Sequence, residues 1–434
     1  MANPCASPFP SPLALTGLGL VTPLGASAWS TFRALLAGRT LYDFTAKLAA
    51  TNPHPDPVVL AQATGAVSGV QHAAADPSID LAEQAARQAL AMAGIPEAQW
   101  SAIPVFLGVS KGAVHAVGSA LAERSGFAGQ GAGNVELRIA KGEAGEMPFS
   151  PVAFLVHHLR RRLGMPDIRP VVAACASSLT ALHLARLYLL GQPHPLGGPG
   201  RALVLTSEAA LLPLFIHSYR RLGVLPPLTP AGYRARPLDR DRHGFVLSEQ
   251  AAAVVLEHPD VACPTPPPRG PTTSFLLDSA IACEGYDLMQ PAPGMPALRH
   301  VARRLLAGRS VDVLHPHATA TIDNDANELA VYGDVLGEQM EKSPALEHSG
   351  AGVGIYAAKG ALGHGLGAAG LTSLVIACLA ARTRQLPPMP WLANPIAAGF
   401  LHPHPQPSGL GSSTAHAIFA AGFGGHVAGA VICS

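Results

Sequence analysis

The stretch from 169 to 190 constrains the fold more than any other. Residues 169–174 read as a buried strand. The chain then turns at Cys175 into a helical stretch carrying Leu179, Leu182, Leu187 and Leu190, which Gly191 and Pro193 stop. The strand-then-helix pattern recurs along the chain. Residues 13–22 read as a strand running into the Pro23-Leu24-Gly25 turn. Asp80 with Glu83 has the form of a capping box, opening a helix whose apolar face is Leu81, Ala85, Ala89 and Met92 and which closes at Gly94 and Pro96. Further strands are predicted over 103–109, 201–207, 251–257, 311–314, 352–357 and 417–421. Such alternation favours an α/β architecture over a bundle or a sandwich. Residues 264–271 are too proline-dense for either element and predict a surface crossover between two halves. The sequence shows no strong internal repeat, although glycine-punctuated strand-to-loop steps occur in both halves.

Composition narrows the function. Only 13% of the 434 residues are charged, against roughly 25% in an ordinary domain, and the formal net charge is +1. Binding to a nucleic-acid backbone or an anionic membrane needs a basic excess that is missing here. The 48% hydrophobic content argues against disorder and for a large core completed by an oligomer interface. No membrane span is expected, because the longest apolar run, 371–381, ends at Arg382 and a span needs roughly 20 residues. The amino terminus is interrupted by Pro8, Pro10, Pro12, Gly17, Gly19 and Pro23. The first basic residue is Arg33, so no export signal is read and the cytoplasm is expected. Six cysteines (Cys5, Cys175, Cys263, Cys283, Cys378 and Cys433) are far apart with no CxxC pair, which argues against disulfides and a thiolate zinc site.

Three places offer chemistry. Cys175 stands where a strand meets a helix start, and free N–H groups and the macrodipole there favour a thiolate. The same position also suits an inert buried cysteine. His317, in His317-Ala318-Thr319-Ala320-Thr321, follows a predicted strand. His364 lies in the glycine-rich run 359–370. Either imidazole has the pKa for proton transfer near neutrality, and either equally suits a surface or satisfied core position. His315-Pro316-His317 and His402-Pro403-His404 invite a metal reading, but proline splays each pair and no carboxylate or cysteine completes a set, so no metal is expected. Arg160-Arg161-Arg162 and Arg220-Arg221 read as solvated faces or as a docking patch for an acidic partner.

Taken in order over nearly the whole chain, these motifs resemble the β-ketoacyl synthases, the condensing enzymes of fatty-acid and polyketide assembly. The resemblance runs through residues 15–25, Ala174-Cys175-Ala176-Ser177-Ser178, and Arg236-Pro237-Leu238-Asp239 with Arg242-His243-Gly244-Phe245 and Glu249. It continues through the His317 loop, which is similar to the family's HGTGT, with Asp325 and Glu328 on its following acidic positions. Residues 359–370 match K-x-x-x-G-H-x-x-G-A-A-G, and Gly422-Phe423-Gly424-Gly425 matches the terminal GFGG.

The resemblance implies a thiolase-like α/β fold with duplicated halves in a five-layered α-β-α-β-α sandwich, the halves spanning 1–262 and 273–434. It makes Cys175 the nucleophile that takes an acyl chain from the phosphopantetheine arm of an acyl carrier protein. His317 and His364 become the pair that binds the malonyl thioester carbonyl, assists loss of carbon dioxide and stabilises the enolate, a task for N–H donors. Lys359 orders the histidine region. The N–H groups of Cys175 and Phe423 form the oxyanion hole, Phe423 also gating the cysteine, while Thr319 and Thr321 hydrogen-bond the pantetheine arm. Asp325, Glu328, Arg242 and Glu249 form a structural network, a buried ion-pair arrangement. No cofactor is implied. Partners are the acyl- and malonyl-loaded carrier protein and either a second copy or a chain-length-factor-like subunit.

His364, where initiating enzymes carry asparagine, points to the elongating class, and the residues around Phe423 lack the second cysteine of a thiolase. Departures fall on the loops: Ala318 and Ala320 replace glycines, Ile322 a proline, Ser248 and Gln250 glycines, and Ala420, Ala421, His426 and Val427 the usual neighbours of GFGG. These changes spare the reacting groups and point to a specialised polyketide or polyene synthase. Two other readings stay open: a non-condensing chain-length-factor-like partner, and an acyltransferase using the same cysteine without decarboxylation.

Overall fold

Eleven strands pair into one ladder: β1 (Leu13–Val21), β2 (Val105–Gly108), β3 (Ile168–Val171), β4 (Arg201–Glu208), β5 (Gln250–Glu257), β6 (Ser274–Cys283), β7 (Val313–His315), β8 (Val353–Ile355), β9 (Leu401–Pro403), β10 (Ala415–Gly422) and β11 (His426–Cys433). Their spatial order is β9-β8-β7-β10-β11-β6-β1-β5-β4-β2-β3. The structure is a computed structural model and describes residues 12–42, 62, 65–67, 76–116, 150–191, 200–227, 233–258, 273–342, 352–396, 401–403, 406, 408–411 and 413–434.

The repeat that the sequence does not display is present in the topology. The run β1-β5-β4-β2-β3 has two antiparallel pairings followed by two parallel ones. The run β6-β11-β10-β7-β8 has the same order and the same senses. The two runs meet where Leu13, Ala14 and Leu15 of β1 pair with Leu276, Phe275 and Ser274 of β6. Pairing needs only backbone and an apolar face, so two unlike sequences can fill one topology.

Helices α1 (Pro77–Met92), α2 (Ser177–Leu190), α3 (Pro296–Leu306), α4 (Ile322–Lys342) and α5 (Ala369–Thr383) supply the other layers. α1 covers β1, β4 and β5, and α3, backed by α4, covers β6 and β11. α2 touches β2 and β4 as well as β6 and β11, and α5 touches β1, β5 and β10. They form the middle of an α-β-α-β-α stack, the expected architecture. Every residue of α5 from Ala369 to Ala381 is buried, which accounts for a chain with so few charges.

Some expectations are corrected. With the turn before it, α5 makes a segment, Leu366–Thr383, long and apolar enough to cross a membrane, longer than the run ending at Arg382 because it begins at Leu366. It is 89% buried inside the fold. Helix α1 is capped by Asp76, whose side chain accepts the Ser78 N–H, with Pro77 in the first turn. Asp80 lies inside that turn, paired with Arg162. Strand β3 is not a buried strand. It is the edge of the sheet, where Pro170 removes no ladder bond from a second neighbour, and the adjacent Val172 is 60% exposed. Within α2, Leu179 and Leu182 are buried but Leu187 faces outward. Residues 264–271 and His404 lie outside the described residues.

Candidate active site

Cys175 is held on an elbow. Beyond β3 the chain reverses through Ala174 at φ +47°. Ala176 N–H donates to Ala173 C=O at 3.0 Å and Ser177 N–H to Ala174 C=O at 3.2 Å. The Ser177 hydroxyl accepts Ala173 N–H at 2.8 Å and donates to Ala174 C=O at 2.6 Å. Gly422, at the end of β10, presses on this elbow: a Cβ there would stand 2.8 Å from Cys175 N and 3.0 Å from Ala174 Cβ. The thiol is buried in a cluster with Val114, Ile216, Tyr219, Phe245 and Leu366, against which Phe423 packs. Burial pushes the thiol up to about 11, Lys359 and Lys111 pulling it down and Glu208 pushing it up. The Ser177 N–H, first of the helix, is used within the elbow, and burial outweighs the expected helix-terminus activation, so the resting thiol is neutral.

His317 stands two residues beyond β7. The Glu328 carboxylate accepts its N–H at 2.6 Å and that of Ala318 at 2.8 Å, as well as the Tyr332 hydroxyl at 2.7 Å. Lys359 Nζ donates to His317 C=O and lies 3.5 Å from its Nδ1. An ammonium has only donors, so Nδ1 accepts and the imidazole proton sits on Nε2. Burial brings Lys359 down to about 8, with Glu328, Cys175 and Asp325 pulling it up. Burial first, then Lys359 and His364, holds His317 well below the usual histidine range, so it is neutral.

His364 is locked by a short backbone bridge: its N–H donates to Val246 C=O at 2.7 Å and its C=O accepts Ser248 N–H at 3.1 Å. Gly363 before it has φ +72°, which only glycine adopts freely. The ring stands edge-to-face on His317 with centroids 5.5 Å apart and on Phe245 at 4.8 Å. Burial, then Lys359, keeps it neutral too. Two neutral imidazoles and a buried thiol are therefore gathered around one buried lysine, Lys359, which acts electrostatically on all three.

The other predicted residues surround this group. Thr319 and Thr321 bond each other at 3.0 Å, on a loop where Ala318 and Ala320 take φ +40° and +61°. Asp325 accepts the N–H of Leu238 at 2.8 Å and of Ala320 at 3.0 Å. Arg242 donates to the carbonyls of Thr321 at 2.9 Å, Asp239 at 3.0 Å and Ile322. Among the described residues the hydrogen bonds of Asp325 and Arg242 go mostly to backbone, because a loop with non-helical backbone leaves N–H and C=O groups that must be satisfied, while Arg242 also acts electrostatically on Asp325. Glu249 points elsewhere, accepting Val67 N–H at 3.3 Å. Arg162 pairs with Asp80 and Glu83. Lys111 and Glu208 also act electrostatically on Cys175, which acts in turn on Tyr219. Lys111 and Tyr219 belong to no motif, and only the topology brings them to Cys175.

The family model for the β-ketoacyl synthase N-terminal domain matches residues 11–262, and that for the C-terminal domain matches 273–392. The chain belongs to the β-ketoacyl synthase family. It is 26% identical over 404 residues to the 3-oxoacyl-[acyl-carrier-protein] synthase 2 of Coxiella burnetii, covering 88% of each chain. It is 28% identical over 267 residues to the enzyme of that name from Mycobacterium tuberculosis, covering 59% of this chain and 58% of the relative. The match spans 53% of the Mycobacterium leprae enzyme, about half its length. Among solved structures, the ketosynthase from module 6 of the Bacillus subtilis bacillaene synthase superposes with a TM-score of 0.74 at 18% identity, over 98% of this chain and 72% of that one. The ishigamide ketosynthase/chain length factor gives 0.69 at 21%, over 97% and 98%. These likenesses show that the chain shares the fold of those ketosynthases.

Proposed function

We propose that the protein is an elongating β-ketoacyl-acyl-carrier-protein synthase, and the observation that carries this is the edge-to-face pair of neutral imidazoles, His317 and His364, which share the buried Lys359 with the buried thiol of Cys175. Cys175 Sγ attacks the thioester carbonyl of an acyl carrier protein. The new S–C bond replaces the old one, and the thiol proton passes to the departing pantetheine thiolate. With the thiol neutral at rest, an imidazole takes the proton as the bond forms. Malonyl carrier protein then loses carbon dioxide. The electron pair moves onto its thioester oxygen, where His317 Nε2–H and His364 are the donors. The resulting carbanion attacks the acyl carbonyl, a C–C bond forms, and Cys175 leaves as thiolate and is reprotonated. The N–H groups of Cys175 and Phe423 serve as oxyanion hole, Thr319 and Thr321 hold the arm, and Glu328, Asp325, Arg242 and Glu249 fix the loops.

The chain divides into halves 1–262 and 273–434, each carrying one copy of the strand order. The carrier protein meets the exposed helix Pro213–Arg221, which offers Arg220 and Arg221 beside Leu214. A solved relative is a type II polyketide ketosynthase in complex with its acyl-carrier protein. The chain works as a dimer, with itself or a chain-length-factor-like subunit, in the cytoplasm. The test is purified protein with acyl and malonyl carrier proteins, following carbon dioxide and 3-oxoacyl product. Cys175→Ala should form no 3-oxoacyl product, whatever carbon dioxide the histidines still release. Condensation by that variant would make the nucleophile assignment wrong.

A further inference from the structure

We propose that Lys111 selects the acyl group, so that the pocket beside Cys175 prefers 3-oxoacyl chains, which carry oxygen beyond the thioester, over all-alkyl chains of equal length. The inference rests on the condensing reading above and adds its substrate class.

Lys111 follows β2 as His317 follows β7, and β2 and β7 hold the same place in the two copies of the strand order. In parallel strands, the loops at these ends converge on the ligand. The ammonium lies 5.3 Å from the Phe215 ring centroid and 5.9 Å from that of Tyr219. Tyr219 stands edge-to-face on Phe245 at 5.7 Å, and Phe245 on His364 at 4.8 Å. An aromatic wall therefore runs without a break from Lys111 to the catalytic histidine, and Tyr219, Phe245 and Cys175 share one buried cluster. The turn is anchored from behind, since the buried Glu208 carboxylate accepts Ser110 N–H. The ammonium's ring neighbours are Phe215 and Tyr219; the buried Glu208 carboxylate acts on it electrostatically, but among the described residues the two form no ion pair.

An ammonium brings three donors and accepts nothing. Ring faces satisfy its charge in part but supply no hydrogen-bond acceptor. An alkyl chain laid against it strips its water and returns nothing. A ketone oxygen on the chain restores an acceptor, and a condensing enzyme makes that group itself. Each round leaves a 3-oxo carbonyl, so a pocket with a cation on its wall suits intermediates that are extended without reduction.

The test measures acylation of Cys175 by intact mass, using N-acetylcysteamine thioesters of octanoate and 3-oxo-octanoate. Wild type should take the 3-oxo thioester about tenfold faster, the rate equivalent of one charge-assisted hydrogen bond. Lys111→Met should erase the preference, and Lys111→Arg should keep most of it. Equal rates in wild type, or an unchanged preference in Lys111→Met, would overturn the proposal. So would a Lys111 effect seen only with coenzyme A thioesters, since the cation would then serve a phosphate that the N-acetylcysteamine esters lack. If neither thioester labels Cys175, the condensing reading fails and takes this proposal with it, whereas labelling without discrimination sinks this proposal alone.

Discussion

The Glu328 carboxylate grips the backbone of His317, accepting its N–H at 2.6 Å and the next, of Ala318, at 2.8 Å. A buried acidic side chain thus fixes the loop rather than the chemistry. Glu328→Ala leaves those two N–H groups and the Tyr332 hydroxyl without an acceptor, each costing about 1–3 kcal/mol. The expected result is a large drop in urea midpoint together with loss of condensation. Glu328→Gln, which keeps one carbonyl oxygen, should fall between.

Ala318 and Ala320 hold φ +40° and +61°, where a Cβ is strained. Ala318→Gly and Ala320→Gly should each stabilise the fold by about 0.5–1 kcal/mol despite the greater freedom of glycine in the unfolded chain. Chemical denaturation checks the sign, and a lower midpoint in both variants would contradict it.

Gly422 has no room for a side chain, since its Cβ would meet Cys175 N at 2.8 Å. Gly422→Ala must move the elbow, and displacements near 1 Å at a reacting group reduce rates by about 100-fold. Acyl-enzyme formation followed by mass should show that loss while the far-ultraviolet circular dichroism stays as in wild type.

Lys359 titrates at about 8 because burial opposes its charge. Its ammonium is present below that pH and lost above it, and with it the donor that sets the His317 tautomer. The condensation rate should therefore fall as pH rises through about 8, well before the Cys175 thiol, at about 11, begins to ionise. Lys359→Arg should move that limb to higher pH, because a guanidinium stays charged. A limb that does not move would assign it to another group.

Folded-state stability follows the same group. The buried site lowers its pKa from 10.5 to about 8, so between these values the unfolded chain binds more protons and this lysine makes stability rise with pH. Comparing urea midpoints of wild type and Lys359→Met at pH 8 and pH 10 isolates the contribution. The difference should shift in favour of wild type at the higher pH.

Much of this protein is legible along the chain. Apolar periodicity marks β1, α2, β4 and β5 within a residue or two, and the positions of Cys175, His317, Lys359, His364 and Phe423 follow from ordered motifs. Caps and edges were harder. Asp76 outcompetes Asp80 because Pro77 fixes the first turn, and β3 reads as buried although it is an edge, since strand composition does not record who pairs with it. What the sequence by itself determined is the set of elements and the places of the groups proposed to react, because periodicity and local motifs are properties of neighbouring residues. Only the tertiary structure decided the charge states and the company: that burial keeps the Cys175 thiol neutral against its helix, that two dissimilar halves repeat one strand order, and that Lys111 shares a wall with His364. Desolvation and long-range packing depend on what the rest of the chain removes from water, and no local pattern carries that information.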